Sequence, residues 1–195
     1  MARIIDETKI ERIKEATLEM VVLKGYGGAS ISEIAHMAAV AEGYLYRHYK
    51  SKADLVNDLL YSNLNELIEK LAKLLDSHHL VIDIFEQLTR TLFKIANRQP
   101  ERIKFLYVLM HDYNFTIQEE QREKIINLCR QVKEMGLKSS EVTPGIDEEE
   151  LYLVGVSYPI QFINLHLKNF FNQTRLGEDE VKKVLKIQYN LIKTK

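Results

Sequence analysis

The stretch EGYLYRHYKSK, residues 42–52, places seven Tyr, Arg, His or Lys side chains among eleven residues, with one glycine between them. On a helical wheel Leu45 and Tyr49 fall together with Ala41 beside them, while Gly43 and Arg47 lie opposite, one turn apart. Tyr44 and Tyr46 flank that pair and His48 sits at its margin. The outward face is a gap, a long cation behind it, and a phenol on either side. A glycine inside a helix costs about 1 kcal/mol relative to alanine. The compensating property is close approach, because a bare main chain can lie against another surface. A helix entering the major groove of DNA uses such an approach, and an arginine behind it can pair with O6 and N7 of guanine. Tyrosine hydroxyls can bond phosphates and fix the docking angle. Lys52, in the first turn of the next helix, adds a charge beside that helix's free amides and makes a second phosphate site. The competing reading is a packing element in which Gly43 only relieves crowding.

No constellation in the chain points to catalysis. His78–His79, His111–Asp112 and the run Glu148 to Glu150 are the candidates. Adjacent residues point about 100° apart on a helix, so neither pair forms a ready metal site or dyad. The acidic run suits a helix start, where it complements the dipole. There is no Gly-rich phosphate loop and no Ser or Cys nucleophile motif. The expectation is a protein that is not an enzyme, with no cofactor and no metal. Cys129 is the one cysteine, which excludes an intrachain disulfide. It shares an apolar face with Ile125 and Val132 and has no cationic neighbour that would make it a redox sensor.

The 195 residues are 46% hydrophobic and 28% charged, with three Pro and eight Gly, a composition that favours helix in a globular protein. Net charge is −1, so a nucleic-acid partner is not advertised by overall basicity. Within the first fifty residues seven Lys and Arg are balanced by seven Asp and Glu, so arrangement rather than count must carry any DNA contact. The longest apolar region, 151–167, includes Gln161, Asn164 and His166 and reads as a buried helix rather than a membrane span. With no secretory signal opening the chain, a cytoplasmic location is expected.

The elements that must position the 42–52 stretch are helical throughout, giving an all-α chain of about nine helices. A first helix runs from Thr8 to Lys24 and stops at Gly25, where a left-handed residue is needed, with Tyr26 to Ala29 as a turn. Ser30 and Glu33 have the capping-box spacing and open a second helix. Ala39 to Ala41 forms a short turn into a third helix, 42–48. Ser51, with Asp54 three residues on, opens a long fourth helix reaching Leu75. Further helices are expected over 80–97, 100–111, from Thr116 (with Glu119 as a capping box) to Gly136, over 147–171 with a kink at Pro159, and over 178–193. This divides the chain into a helix-turn-helix DNA-binding domain, 1–50, and a helical effector-binding and dimerisation domain, 51–195.

Two short helices with inward apolar residues and a three-residue turn have the layout of a helix-turn-helix. The segment GYGGASISEIAHMAAVAEGYLYRHYKSKADL, 25–55, resembles the DNA-binding segment of the tetracycline-repressor (TetR) family of regulators. The shared features are the Gly after helix one, the Ser-capped SISEIA, the Val closing the turn, GYLYRHY and SKADL. The resemblance covers about residues 8–55. It implies a homodimeric transcriptional regulator, usually a repressor, that binds a double-stranded DNA operator and is released by a small-molecule effector. Carried over by position, Ser30 caps helix two against a phosphate. Gly43, Tyr44 and Arg47 face base edges with Glu42 at the rim, and Tyr46, His48 and Lys52 hold phosphates. The sequence departs from the family pattern at Ala39, usually Gly, at Ala41, usually a capping Ser or Thr, and at Tyr44, often Thr. Glu42 is acidic beside DNA; it accepts from cytosine N4 or repels phosphate. A helix-turn-helix protein that has lost DNA binding and acts through protein partners is the alternative.

In the body, Leu151, Val154, Tyr158, Phe162 and Leu165 share one face of their helix, and Leu153, Val156, Ile160, Ile163 and Leu167 share the opposite one. A helix apolar on two faces must be covered on both. The first set is expected to meet a second copy, alongside Val181, Val184, Leu185 and Ile192; a fully buried central helix is the alternative. By analogy with the family, Tyr107, Met110, His111 and Cys129 are expected to line an effector pocket. The fourth helix, with Lys52 at one end and the body at the other, is the expected transmitter between effector and DNA.

Overall fold

The computed structural model describes residues 7–77, 80–171 and 175–193, with the side chain of Ser77 excluded. Among them there is no strand. The helices are α1 (Glu7–Gly28), α2 (Ile31–Met37), α3 (Glu42–His48), α4 (Lys52–Ser77), α5 (Val81–Arg98), α6 (Pro100–His111), α7 (Glu119–Lys138), α8 (Glu148–Tyr152), a π-helical segment (Leu153–Ser157), α9 (Tyr158–Leu167) and α10 (Glu178–Ile192). The chain forms two compact units: 1–63 with 104–117, and 64–103 with 118–195. The division between these compact units falls within α4 rather than at residue 50, and 104–117 groups with the N-terminal unit. His78 and His79 lie outside the described residues.

In the first unit, α1 buries Ile13, Ala16, Thr17, Met20 and Val21. Gly25 then takes φ 75° and ψ 167°, a region essentially reserved for glycine, and breaks the helix axis where the sequence places the stop. Helical bonding resumes beyond it, to Gly28, in place of the expected turn. Ser30 caps α2 by accepting the Glu33 amide (3.3 Å). The reciprocal half of a capping box is replaced: Glu33 instead accepts from the Ser30 hydroxyl (2.8 Å) and pairs with Lys24. Lys24, then Ser30, hold the Glu33 carboxyl below its usual range. The turn into α3 passes through Ala39 at φ 52°. That left-handed conformation explains why glycine is usual there, and an L-alanine carries a strain of about 1 kcal/mol.

The second unit is built on a cluster of Val81, Ile84, Phe85, Val132, Val142, Ile146, Leu151 and Ile192. Its α7 starts at Glu119, not at Thr116, with Gln118 as a cap that makes no side-chain bond. A reciprocal capping box appears instead at Asp147 and Glu150. The expected single helix 147–171 is a continuous run of α8, π segment and α9 ending at Leu167.

Pro159 explains the π segment. It has no N–H to donate and its ring crowds the carbonyl four residues back. Tyr158 N–H reaches Leu153 O, one residue wider than an α-helical bond. Val154 O, whose partner in that register would be Pro159, accepts instead from Gln188 Nε2 (3.0 Å). Gln188 is fully buried, and its Oε1 lies 3.5 Å from Thr89 Oγ1. Gly155 sits in the same segment because a Cβ there would come 2.7 Å from Phe85 Cε1.

Candidate nucleic-acid interface

Helix α3 has seven residues and a single buried one, Leu45. Ala41 at its N-cap makes no side-chain bond, as its residue type implies, and is exposed rather than inward. At the other end Tyr49 is buried, its amide bonds Leu45 O (2.8 Å) and its hydroxyl donates to Asp58 Oδ2 (3.0 Å) on α4. Burial, then the Asp58 carboxylate, push the Tyr49 phenol pKa above its ordinary value. Lys50 N–H donates to Asp54 Oδ2 (3.0 Å), and Asp54 N–H to Ser51 Oγ (3.1 Å), which starts α4 as the spacing predicts.

The outward face of α3 carries Glu42, Gly43, Tyr46, Arg47 and His48, all exposed, with Tyr46 58% exposed. A Cβ built on Gly43 would meet nothing within 4 Å, so the position is open and crowding inside the chain does not explain the glycine. Arg47 Nε donates to Gly43 O (3.2 Å), so its side chain lies back along that bare stretch. Tyr44 is half-buried, with its ring 4.8 Å from that of His48 and Lys9 Nζ 5.5 Å from its centroid. Lys9 brings a cation from α1 to this face; 35 residues away in sequence from Tyr44, it carries no local signal of that role.

Lys52 is placed differently from the phosphate-facing position expected of it. Its ammonium donates to Tyr26 O (2.7 Å) and Ala29 O (2.9 Å), approaches Gly27 O (3.4 Å), and lies 4.5 Å from the Tyr26 ring centroid. It closes the carbonyls at the end of α1, a C-capping task for a cation. The same α1–α2 turn is also held by Asp112, whose Oδ2 accepts from Gly27 N–H (3.2 Å). Bonds from Asn114 and Gly27 hold the Asp112 carboxyl below its usual range. Tyr26 packs edge-on against Phe115 at 5.2 Å, and Asn57 Nδ2 reaches Thr116 O (3.4 Å). These long-range hooks were not legible in the sequence.

The residues expected in the body are dispersed. Tyr107, Met110 and His111 fall in the first unit and Cys129 in the second, so no single unit holds all four. His111 stacks on Tyr107 at 4.1 Å and its Nδ1 lies 2.7 Å from Tyr107 O, an intrahelical pairing. Burial, then Glu148, push the Cys129 thiol up to about 11, which removes thiolate reactivity at neutral pH. A cleft of about 270 Å³ does occur in the second unit, lined by other residues, among them Arg90, Phe93, Lys94, Asn97 and Val181.

Of the expected interface residues, Leu151, Val181, Val184 and Ile192 are 0–3% exposed within their own chain and are not a free surface. Val154, Tyr158, Phe162, Leu165 and Leu185 are half-buried, and Phe162 stacks on Phe93 at 6.0 Å. The apolar side chains left outside include Leu153, 50% exposed, with Ile187 and Leu191 one turn apart on α10. A straight helical wheel fails here because the π segment turns the helix face between Tyr152 and Tyr158. Among the described residues no group of three His, Cys, Asp or Glu side chains is placed to hold a metal ion. No described helix is long and apolar enough to cross a membrane.

A capped α2, a tight turn and an outward α3 with an open glycine define a helix-turn-helix DNA-binding protein. Residues 13–59 match the family described as bacterial regulatory proteins, tetR family. The fatty acid metabolism regulator protein of Bacillus subtilis (strain 168) is 26% identical over 157 residues, covering 71% of this chain and 73% of that protein. A TetR family transcription regulator from Marinobacter aquaeolei VT8 shares the fold with a TM-score of 0.78 at 19% identity, covering 97% of this chain and 98% of that one. The transcriptional regulator FadR from Bacillus subtilis in complex with stearoyl-CoA superposes with a TM-score of 0.69 at 19% identity, covering 93% and 98% of the two chains. Residues 13–59 thus form a helix-turn-helix of the tetR-family type, and the chain as a whole has the all-helical fold of the TetR family regulators it resembles.

Proposed function

We propose that this regulator is a repressor that binds a palindromic operator as a homodimer in the cytoplasm and is released by a small molecule. The observation that carries the DNA reading is the exposed face of α3, where Gly43 is open to solvent and Tyr46, Arg47 and His48 surround it. Arg47 leaves the Gly43 carbonyl to read a guanine edge, Tyr44 and Gly43 lie against the bases with Glu42 at the rim, and Tyr46, His48 and Ser30 bond phosphates. Ser30 must turn its hydroxyl from Glu33 to do so. Lys52 supports this surface from behind, through the carbonyls it caps.

A second copy covers the apolar side chains that the single chain leaves out, Leu153, Ile187 and Leu191 among them. Two-fold symmetry then sets two reading helices on half-sites about 34–36 Å apart, or a multiple of that. The likeness to a fatty acid metabolism regulator, and to FadR bound to stearoyl-CoA, makes acyl-CoA thioesters the first effectors to assay. Helix α4, which contributes to both units, transmits the effector's preference for one state, and can shift the equilibrium only by the difference in affinity between states.

Selection of bound duplexes from a random DNA pool tests this reading. An inverted repeat is expected. Arg47→Ala should then lose about 1–3 kcal/mol of operator affinity, concentrated at one base position. Recovery of no enriched duplex by the purified dimer would sink the reading and leave the partner-protein alternative.

A further inference from the structure

We propose that Tyr49 and Asp58 are positioning residues for operator reading: the bond between phenol and carboxylate sets the angle at which α3 is presented. It thereby governs discrimination between operator and other DNA, not attachment to DNA as such. The inference rests on the DNA-reading function proposed above.

Helix α3 cannot hold its own orientation. It is seven residues long, below the length at which a helix is stable alone, and its N-cap makes no side-chain bond. Leu45 is the one side chain within it that is buried, so Leu45 acts as a pivot. A pivot needs a second fixed point to become an angle. That point is Tyr49, whose ring is buried and whose hydroxyl donates to Asp58 Oδ2 at 3.0 Å. Asp58 is itself anchored. Its Oδ2 lies 3.7 Å from Lys14 Nζ of α1, and the same ammonium donates to Ser62 Oγ (3.3 Å). The Ser62 hydroxyl in turn donates to Asp58 O (2.9 Å), so α1, α4 and the end of α3 meet at one carboxylate. Arg47 stands two residues from Tyr49, so any tilt about Leu45 displaces the guanidinium directly. Bidentate base pairing is lost with such a displacement, whereas attachment through phosphate charge is not.

The Asp58 side chain is 41% exposed, so water can replace a missing phenol and the variants are expected to fold. The full-length protein is titrated against the selected operator and a scrambled duplex at fixed salt, with Tm measured alongside. Tyr49→Phe should lower the ratio of scrambled to operator Kd about ten-fold, with scrambled Kd and salt slope unchanged. Asp58→Ala and Asp58→Asn remove the same charge, so loss of charge does not account for a difference between them. Asp58→Ala should lose discrimination as Tyr49→Phe does, and Asp58→Asn, which keeps an acceptor for the phenol, should stay within about three-fold of the wild-type ratio. A wild-type ratio in Tyr49→Phe, equal losses in the two Asp58 variants, or parallel loss of both kinds of binding with a falling Tm would overturn the proposal. A wild type that selects no duplex overturns the DNA reading itself, and does so before any variant is made.

Discussion

Both units combine an apolar core with long-range polar bonds, and they differ in what those bonds orient. The second packs an apolar cluster around Phe85, Leu151 and Ile192; one of its buried polar side chains, Gln188, serves a carbonyl orphaned by Pro159, and its longer-range bonds, from Val81 N–H to Glu141 (2.7 Å) and from Asn97 to Leu176 O (2.8 Å), join segments of its own core. The first has its own buried apolar residues, yet the parts that face outward are tied by charged and polar hooks: Lys52 on the carbonyls of Tyr26 and Ala29, Asp112 on the Gly27 amide, Asp58 on the Tyr49 phenol. Apolar packing is non-directional and tolerates a face being chosen by many contacts at once. Hydrogen bonds are directional, so a few of them can orient a seven-residue helix that buries too little to orient itself. A surface meant to meet a partner cannot be buried, and orientation by hooks leaves it open.

The comparison breaks first where packing is removed. Phe85→Ala should cost about 3–5 kcal/mol of stability, read by chemical denaturation with circular dichroism. If the difference between units is real, signals from the second unit should be lost at lower denaturant than in the wild type, with the first unit's transition much less displaced. A uniform shift of one transition would show that the units do not differ in this way.

Lys52→Met sharpens the other side. The ammonium bonds two carbonyls at good distance, and bonds to a charged group are worth about 1.5–3 kcal/mol. The first unit should therefore lose stability while the salt dependence of DNA binding keeps its slope. A slope lower by about one unit, with stability retained, would return Lys52 to the phosphates.

The smallest effect has the opposite sign. Ala39 is held at φ 52°, so Ala39→Gly should relieve left-handed strain and raise stability by about 1 kcal/mol, visible as a higher Tm with operator affinity unchanged. No gain would mean that the added freedom of glycine in the unfolded chain cancels the relief.

What could be read in advance follows a length scale. The Gly25 break, the Ser30 cap, the bare N-cap at Ala41 and the glycine-favouring site at Ala39 all depend on a residue's own backbone or on neighbours within four positions. The candidate reading face is equally local, since Gly43 to His48 share one short helix. Thr116 misled because its spacing to Glu119 met the capping pattern while α7 starts three residues later. On α8 and α9 the expected interface face shifts because a wheel assumes 3.6 residues per turn throughout, whereas Pro159 produces a π segment; on α10 Val181, Val184 and Ile192 are buried within their own chain.

By itself, then, the order of residues determined that this protein is helical, where most of its helices start and stop, and which short helix turns Tyr46 and Arg47 outward. Those properties arise from dihedral preference, capping and periodicity, which act over a few residues. Only the tertiary structure decided that Lys52 closes α1, that Asp112 holds the Gly27 amide and Asp58 the Tyr49 phenol, and that Leu151 and Ile192 belong to the chain's own core. Each of these joins groups far apart along the chain, and a long side chain's destination depends on which distant carbonyl, amide or apolar surface the fold brings within its reach.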